Sequence, residues 1–188
     1  MHRSRWVSLV ALLTALAVVL GGIAVPAPYA AFLFYGVWEI PILLALLLLG
    51  LSGGTVVALL NALALEAINP GQLPSGPVYN VIAEVSMFIG VLAALRVTKG
   101  RGYAVQGGAA VVLGALARTS VMTVVNFLVL PEPYPIGFSI PQAAVAGFLI
   151  PIALFNASVV LYVVPVAFGI RRAVESRVSP PQTIAVRS

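Results

Sequence analysis

The sequence contains no cysteine and a single histidine, His2. Without thiols there is no disulfide, no thiol nucleophile and no Cys-ligated metal, and one histidine in a terminal tail cannot assemble a His-built metal site. Charge is scarce too. Lys, Arg, Asp and Glu together make up 8% of the 188 residues, against about 25% in a typical soluble chain. Also missing are a nucleophile elbow, a phosphate-binding glycine loop, a zinc-protease helix and paired aspartates. An enzyme is therefore not expected, and neither is a bound cofactor.

What is present is apolar: 61% of residues are hydrophobic and the mean hydropathy is +1.11. A membrane span takes roughly 20 apolar residues, so this length accommodates six or seven spans with short loops. The expected class is an all-α integral membrane protein of the cell membrane. A single domain of six transmembrane helices covers residues 1–172, followed by a polar, disordered tail over 173–188. The breakers place the helices at about Trp6–Val25, Glu39–Leu49, Thr55–Ile68, Val78–Val97, Ala104–Leu130 and Gln142–Ile170. The apolar run after MHRSR is longer than the core of a signal peptide, and more spans follow it, so it reads as a retained first helix. The stretch PAPYAAFLFYGVWEIP, broken by Pro and Gly, reads as an irregular loop at membrane depth.

The net charge of +5 does not point to nucleic acid, because the basic residues sit at helix ends and form no aromatic-rich patch. Arg3 and Arg5 precede the first span, Arg96, Lys99 and Arg101 bracket the fourth turn, and Arg171, Arg172 and Arg177 follow the last span. With six spans these all fall on one side. The positive-inside rule then puts both termini in the cytoplasm.

Polar residues inside apolar spans are costly and face protein or water. Glu39, Glu66 and Glu84 lie in the outer half of the expected spans or at its edge, and Asn61, Asn80, Asn126 and Asn156 lie on four different helices. Four amides on four helices favour a shared pocket over four separate interhelical hydrogen bonds. Arg118 falls in the middle of a span, where it either serves function or has a structural role, pairing with Glu84 or snorkelling toward the cytoplasm. Glu39, just before Pro41, suits a helix N-terminus by charge alone. Tyr35, Trp38, Tyr79, Tyr134 and Phe138 form an interfacial aromatic belt, and at a pocket mouth they could stack on a flat ligand. On the first helix Ala11 and Ala15 are small residues four apart, which lets another helix approach closely.

Read in order, YGVWEIPILLALLLLG, GGTVVALLNAL, GPVYNVIAE, MTVVNFLVLPEPY and LIPIALFNASVV resemble the S components of energy-coupling factor (ECF) vitamin transporters, most of all the riboflavin-type branch. The resemblance runs from about Trp6 to Arg172. It implies a substrate-capture subunit that takes riboflavin, or a related flat vitamin, from outside the cell. Uptake would be driven by a transmembrane coupling protein and two cytoplasmic ATPases. It also implies that Ala11 and Ala15 contact the coupling protein. The implied ligand set comprises Asn80, Asn126 and Asn156, with Glu84, Glu39, Trp38 and Tyr35 lining the pocket. The chain departs from the family pattern at Val159 and Leu60, where lysine is common, and at Glu39, where aspartate is usual.

The alternatives are an S component for another vitamin or base, a proton-coupled carrier relaying through Glu66, Glu84 and Arg118, and an assembly factor without a ligand.

Overall fold

The computed structural model describes residues 3–68 and 73–178. Helix α1 (Arg3–Leu20) leads into a hairpin of β1 (Ala24–Ala27) and β2 (Ala30–Gly36), and helices α2 (Glu39–Ile68), α3 (Gly76–Val97), α4 (Tyr103–Val129) and α5 (Gln142–Val178) follow. Among the described residues, five helices are long and apolar enough to cross a membrane. Six separate helices were expected. The correction lies in α2, which joins the expected second and third helices and breaks at one residue, Gly50, with φ 79° and ψ −174°. That backbone region is open to glycine almost alone.

The break folds α2 back on itself. A Cβ placed on Gly54 would lie 2.9 Å from the Leu46 Cβ, although eight residues of straight helix would separate them by about 12 Å. Glycines at 53 and 54 allow this contact, since a Cβ on Gly53 would sit 2.3 Å from that of Leu49. Leu65, near the far end of α2, reaches Gly21 at the end of α1, where a Cβ would be 3.1 Å from its Cδ2.

A second correction concerns residues 24–36, expected as an irregular loop. They form an antiparallel pair in the register Ala24 with Gly36, Val25 with Tyr35 and Pro26 with Phe34, with an irregularity between Pro26 and Ala27. Proline removes a ladder donor and is tolerated at such an edge. α5 also differs from expectation. Helical through Pro151 and Pro165 as expected, it runs on to Val178, six residues into the expected tail. Residues 179–188 lie outside the described residues.

The core joins the first arm of α2 to α3 and α5, with Ile42, Leu43, Met87, Phe88, Val160 and Val163 fully buried. α3 and α4 cross closely, because a Cβ on Gly90 would fall 2.2 Å from the Leu113 carbonyl oxygen. Small residues allow such backbone approach between apolar helices. α1 is the least embedded helix. It buries only Val10, Leu13 and Ala17, and leaves apolar side chains such as Leu12 and Val19 exposed.

Candidate functional site

The chain turns directly from β2 into α2, so Glu39 enters the bundle on the first helical turn. Its carboxylate is buried and meets the guanidinium of Arg118, from the middle of α4. Arg118 Nη2 donates to Glu39 Oε1 at 2.9 Å, Nη1 donates to Oε2, and Nε donates to Asn156 Oδ1 at 3.0 Å. Asn156 in turn donates from Nδ2 to the Ile152 carbonyl on its own helix, at 2.9 Å. A bidentate pair with a third, amide-held arm fixes a planar guanidinium in one orientation. The pairing of Arg118 with Glu84 considered above is not the one found.

Glu84 stands apart from this arrangement. It is 1% exposed on α3, and its Oε2 has no hydrogen-bond partner among the described residues. It remains within electrostatic range of both Glu39 and Arg118. The cluster therefore holds two carboxyl groups and one guanidinium, away from water. Such imbalance inside apolar surroundings is costly and marks functional sites more often than scaffolding.

Above the cluster the hairpin is tied to α5 by hydroxyl groups. The Tyr35 hydroxyl lies 2.5 Å from that of Tyr29 and 2.6 Å from Ser158 Oγ. The Tyr162 hydroxyl donates to the Gly36 carbonyl at 2.6 Å. The Tyr35 ring packs on Phe155 with centroids 4.9 Å apart, and the half-buried Trp38 lies so close to Gly36 that a Cβ there would be 2.5 Å from its Cδ1. A cleft of about 150 Å³ opens between Ile23, Val25, Tyr35, Gly36, Val37 and Tyr162. A second, wholly apolar cleft of about 280 Å³ lies on the α3–α4 face between Val81, Val85, Ile89 and Val121. Ligand pockets typically span ~300–1,000 Å³, so both clefts are smaller than a typical ligand site.

The remaining candidates are dispersed. Asn80, exposed near the start of α3, makes no side-chain hydrogen bond among the described residues. Asn126, half-buried on α4, donates from Nδ2 to the Met122 carbonyl at 2.7 Å and leaves its Oδ1 unengaged among the described residues. The loop between α4 and α5 folds over the start of α3. Tyr79 donates to the Ile136 carbonyl at 2.7 Å, and Ser75 donates to that of Pro135 at 2.8 Å. Glu66 is half-buried and makes no bond to Glu84 or Arg118. Ala11 and Ala15 are both exposed on α1. Glu39, Arg118 and Asn156 are thus brought together, with Glu84 beside them, while Asn80 and Asn126 stay near the α4–α5 loop.

Tyr162 and Ser158 escaped the sequence reading. The available signal was two hydroxyl side chains following Asn156 on one apolar helix.

No protein-family model matches the sequence, and no curated protein matches it. In structure the chain is similar to the S component of a bacterial ECF transporter, with a TM-score of 0.78 and 22% sequence identity over 95% of this chain and 100% of that one. At that identity the likeness shows the fold: an S-component-like bundle of long apolar helices.

Proposed function

We propose that this chain is the substrate-capture subunit of an ECF-type vitamin importer, binding riboflavin or a related flat vitamin. The observation that carries the reading is the likeness in fold to an S component over 95% of this chain and all of that one. The hairpin and the α4–α5 loop cover one end of the bundle, and the candidate binding residues sit beneath and beside them. Asn80 and Asn126 supply amides with free hydrogen-bonding capacity, suited to the imide edge of a flavin-like ring. Asn156 and Glu39 hold the Arg118 guanidinium in place, Glu84 adds a carboxyl group, and Tyr35 and Trp38 wall the mouth.

In this reading the chain lies in the cell membrane as a multi-pass protein. The two arms of α2 cross separately, giving six crossings with both termini in the cytoplasm. The absence of Lys and Arg from the outer loops supports that orientation. Uptake is driven by a transmembrane coupling protein, which meets the chain at the Ala11–Ala15 face of α1, and by two cytoplasmic ATPases.

The test is to purify the protein in detergent, record its visible spectrum and titrate riboflavin while following flavin fluorescence. Saturable quenching at one ligand per chain is expected. Unchanged fluorescence would remove riboflavin and send the search to other vitamins and bases.

One observation favours a second reading. The buried Glu84, whose Oε2 has no hydrogen-bond partner among the described residues, suits a proton-coupled carrier. Uptake that survives without any ATPase partner and collapses with an uncoupler would install that reading instead.

A further inference from the structure

At the end of the bundle away from the hairpin, α3 passes into α4 through a tight turn in which Gly100 takes φ 81°. Arg96 in the last turn of α3, with Lys99 and Arg101 in the connection, is exposed to the surroundings. Helix α5 brings further cations to the same place. The hydroxyl of Tyr103 donates to the Phe168 carbonyl, and its ring meets that of Phe168 edge-on at 5.7 Å. The guanidinium carbon of Arg172 lies 5.5 Å from the centre of the same Tyr103 ring. A cation over an aromatic face is held in position without losing its charge.

One acid stands in this patch, Glu175, and it pairs with Arg171 at 2.8 Å. Arg96, Lys99, Arg101 and Arg172 have no carboxylate at ion-pair distance among the described residues. Four unneutralised cations packed at one helix end repel one another and call for an anion. The surface beside them identifies its source. Val97 is 80% exposed and Val105 53%, and on α5 Val166 and Ile170 are exposed too. A soluble phosphate or an acidic protein segment has no use for that apolar border, whereas a phospholipid matches both halves of it.

We propose that this patch is a binding site for an anionic phospholipid, with Lys99, Arg101 and Arg172 on the headgroup phosphate and the acyl chains along the exposed apolar surface of α4 and α5. Tyr103 is the positioning residue that locks α5 to the turn and presents Arg172. The site needs the chain to lie in a bilayer but is independent of which ligand it captures.

The experiment uses the full chain in detergent, with added phosphatidylglycerol or phosphatidylcholine, read by native mass spectrometry and by thermal protection. Phosphatidylglycerol should be retained at one or a few molecules per chain and protect against heating, with phosphatidylcholine doing neither. The Lys99→Gln/Arg101→Gln/Arg172→Gln variant should lose on the order of tenfold or more in affinity. Arg3→Gln/Arg5→Gln/Arg177→Gln, which removes the same charge elsewhere, should bind like the parent. Equal retention of both lipids, or equal loss in both variants, would overturn the proposal. So would equal protection by inorganic phosphate, which would assign the patch to a soluble anion.

Discussion

The guanidinium of Arg118 holds both carboxylate oxygens of Glu39, a residue 79 positions earlier in the chain, and both groups are buried. This pair staples the start of α2 to the middle of α4, and through Asn156 to α5.

Removing one partner leaves the other charge buried without its hydrogen-bonded counter-ion, which costs about 3–5 kcal/mol. Glu39→Gln and Arg118→Met should each lower stability by that order in detergent unfolding. The double variant should lose clearly less than the sum, because the two groups act as a unit. Additive losses would show that the pair is not the stabilising element.

Gly50 is exposed, and a Cβ added there would meet nothing within 4 Å, so its role is conformational rather than steric. Gly50→Ala should therefore destabilise by about 1–2 kcal/mol. Gly147, on α5 and equally open, has an ordinary helical backbone, and Gly147→Ala should be neutral or stabilising by up to ~1 kcal/mol. Equal effects at the two sites would refute a strained hinge.

The two amides of α4 and α5 should separate in a ligand-binding assay. Asn126→Ala is expected to weaken binding roughly tenfold, the worth of one hydrogen bond, at near-parental stability. Asn156→Ala should lower stability as well, because it strips Arg118 of an acceptor. Comparing affinity with thermal midpoint for both variants checks this.

The hydroxyl bridge of the hairpin should be sensitive to pH. Partial burial and the hydrogen bond with Tyr35 raise the Tyr29 pKa above the ordinary tyrosine value. Tyr29 thus favours the folded hairpin while protonated. That contribution is complete below about pH 10 and is lost as pH rises through the raised value. Amide exchange across residues 24–36 should quicken in that alkaline window, and Tyr35→Phe should quicken it already at neutral pH.

Ala11 and Ala15 lie exposed on the least embedded helix. Ala11→Leu with Ala15→Leu should block recovery of coupling protein and ATPases in a pull-down while ligand binding stays at the parental level. Intact recovery would move the partner interface elsewhere.

Much of the architecture was legible because apolar runs of span length, cut by Pro and Gly, leave little choice of element. The depth of a residue also follows from counting, at about 1.5 Å per residue. Rotation about the helix axis does not, and this is why Arg118 could be given the right depth and the wrong acid. Glu39 and Glu84 both lie within electrostatic reach of it, and only the packing of α2 against α3 and α5 selects Glu39. The hairpin was missed for a related reason. AAFLFYG carries no polar alternation to mark a strand face, and its flanking Pro and Gly read as loop. The merging of two expected helices turned on a single residue, Gly50, where several breakers close together had suggested a full turn.

During synthesis, the segment from Glu39 to Leu49 emerges long before its partner on α4. Its eleven residues are about half the number that a bilayer takes up as a free-standing span, and they carry a carboxylate whose counter-charge has not yet been made. The arm can settle only together with the one beyond Gly50, as a pair. The order in which this chain leaves the ribosome therefore makes closure of the buried polar cluster a late, post-insertion event, and a chain stopped before α4 would hold an unfinished and unstable half.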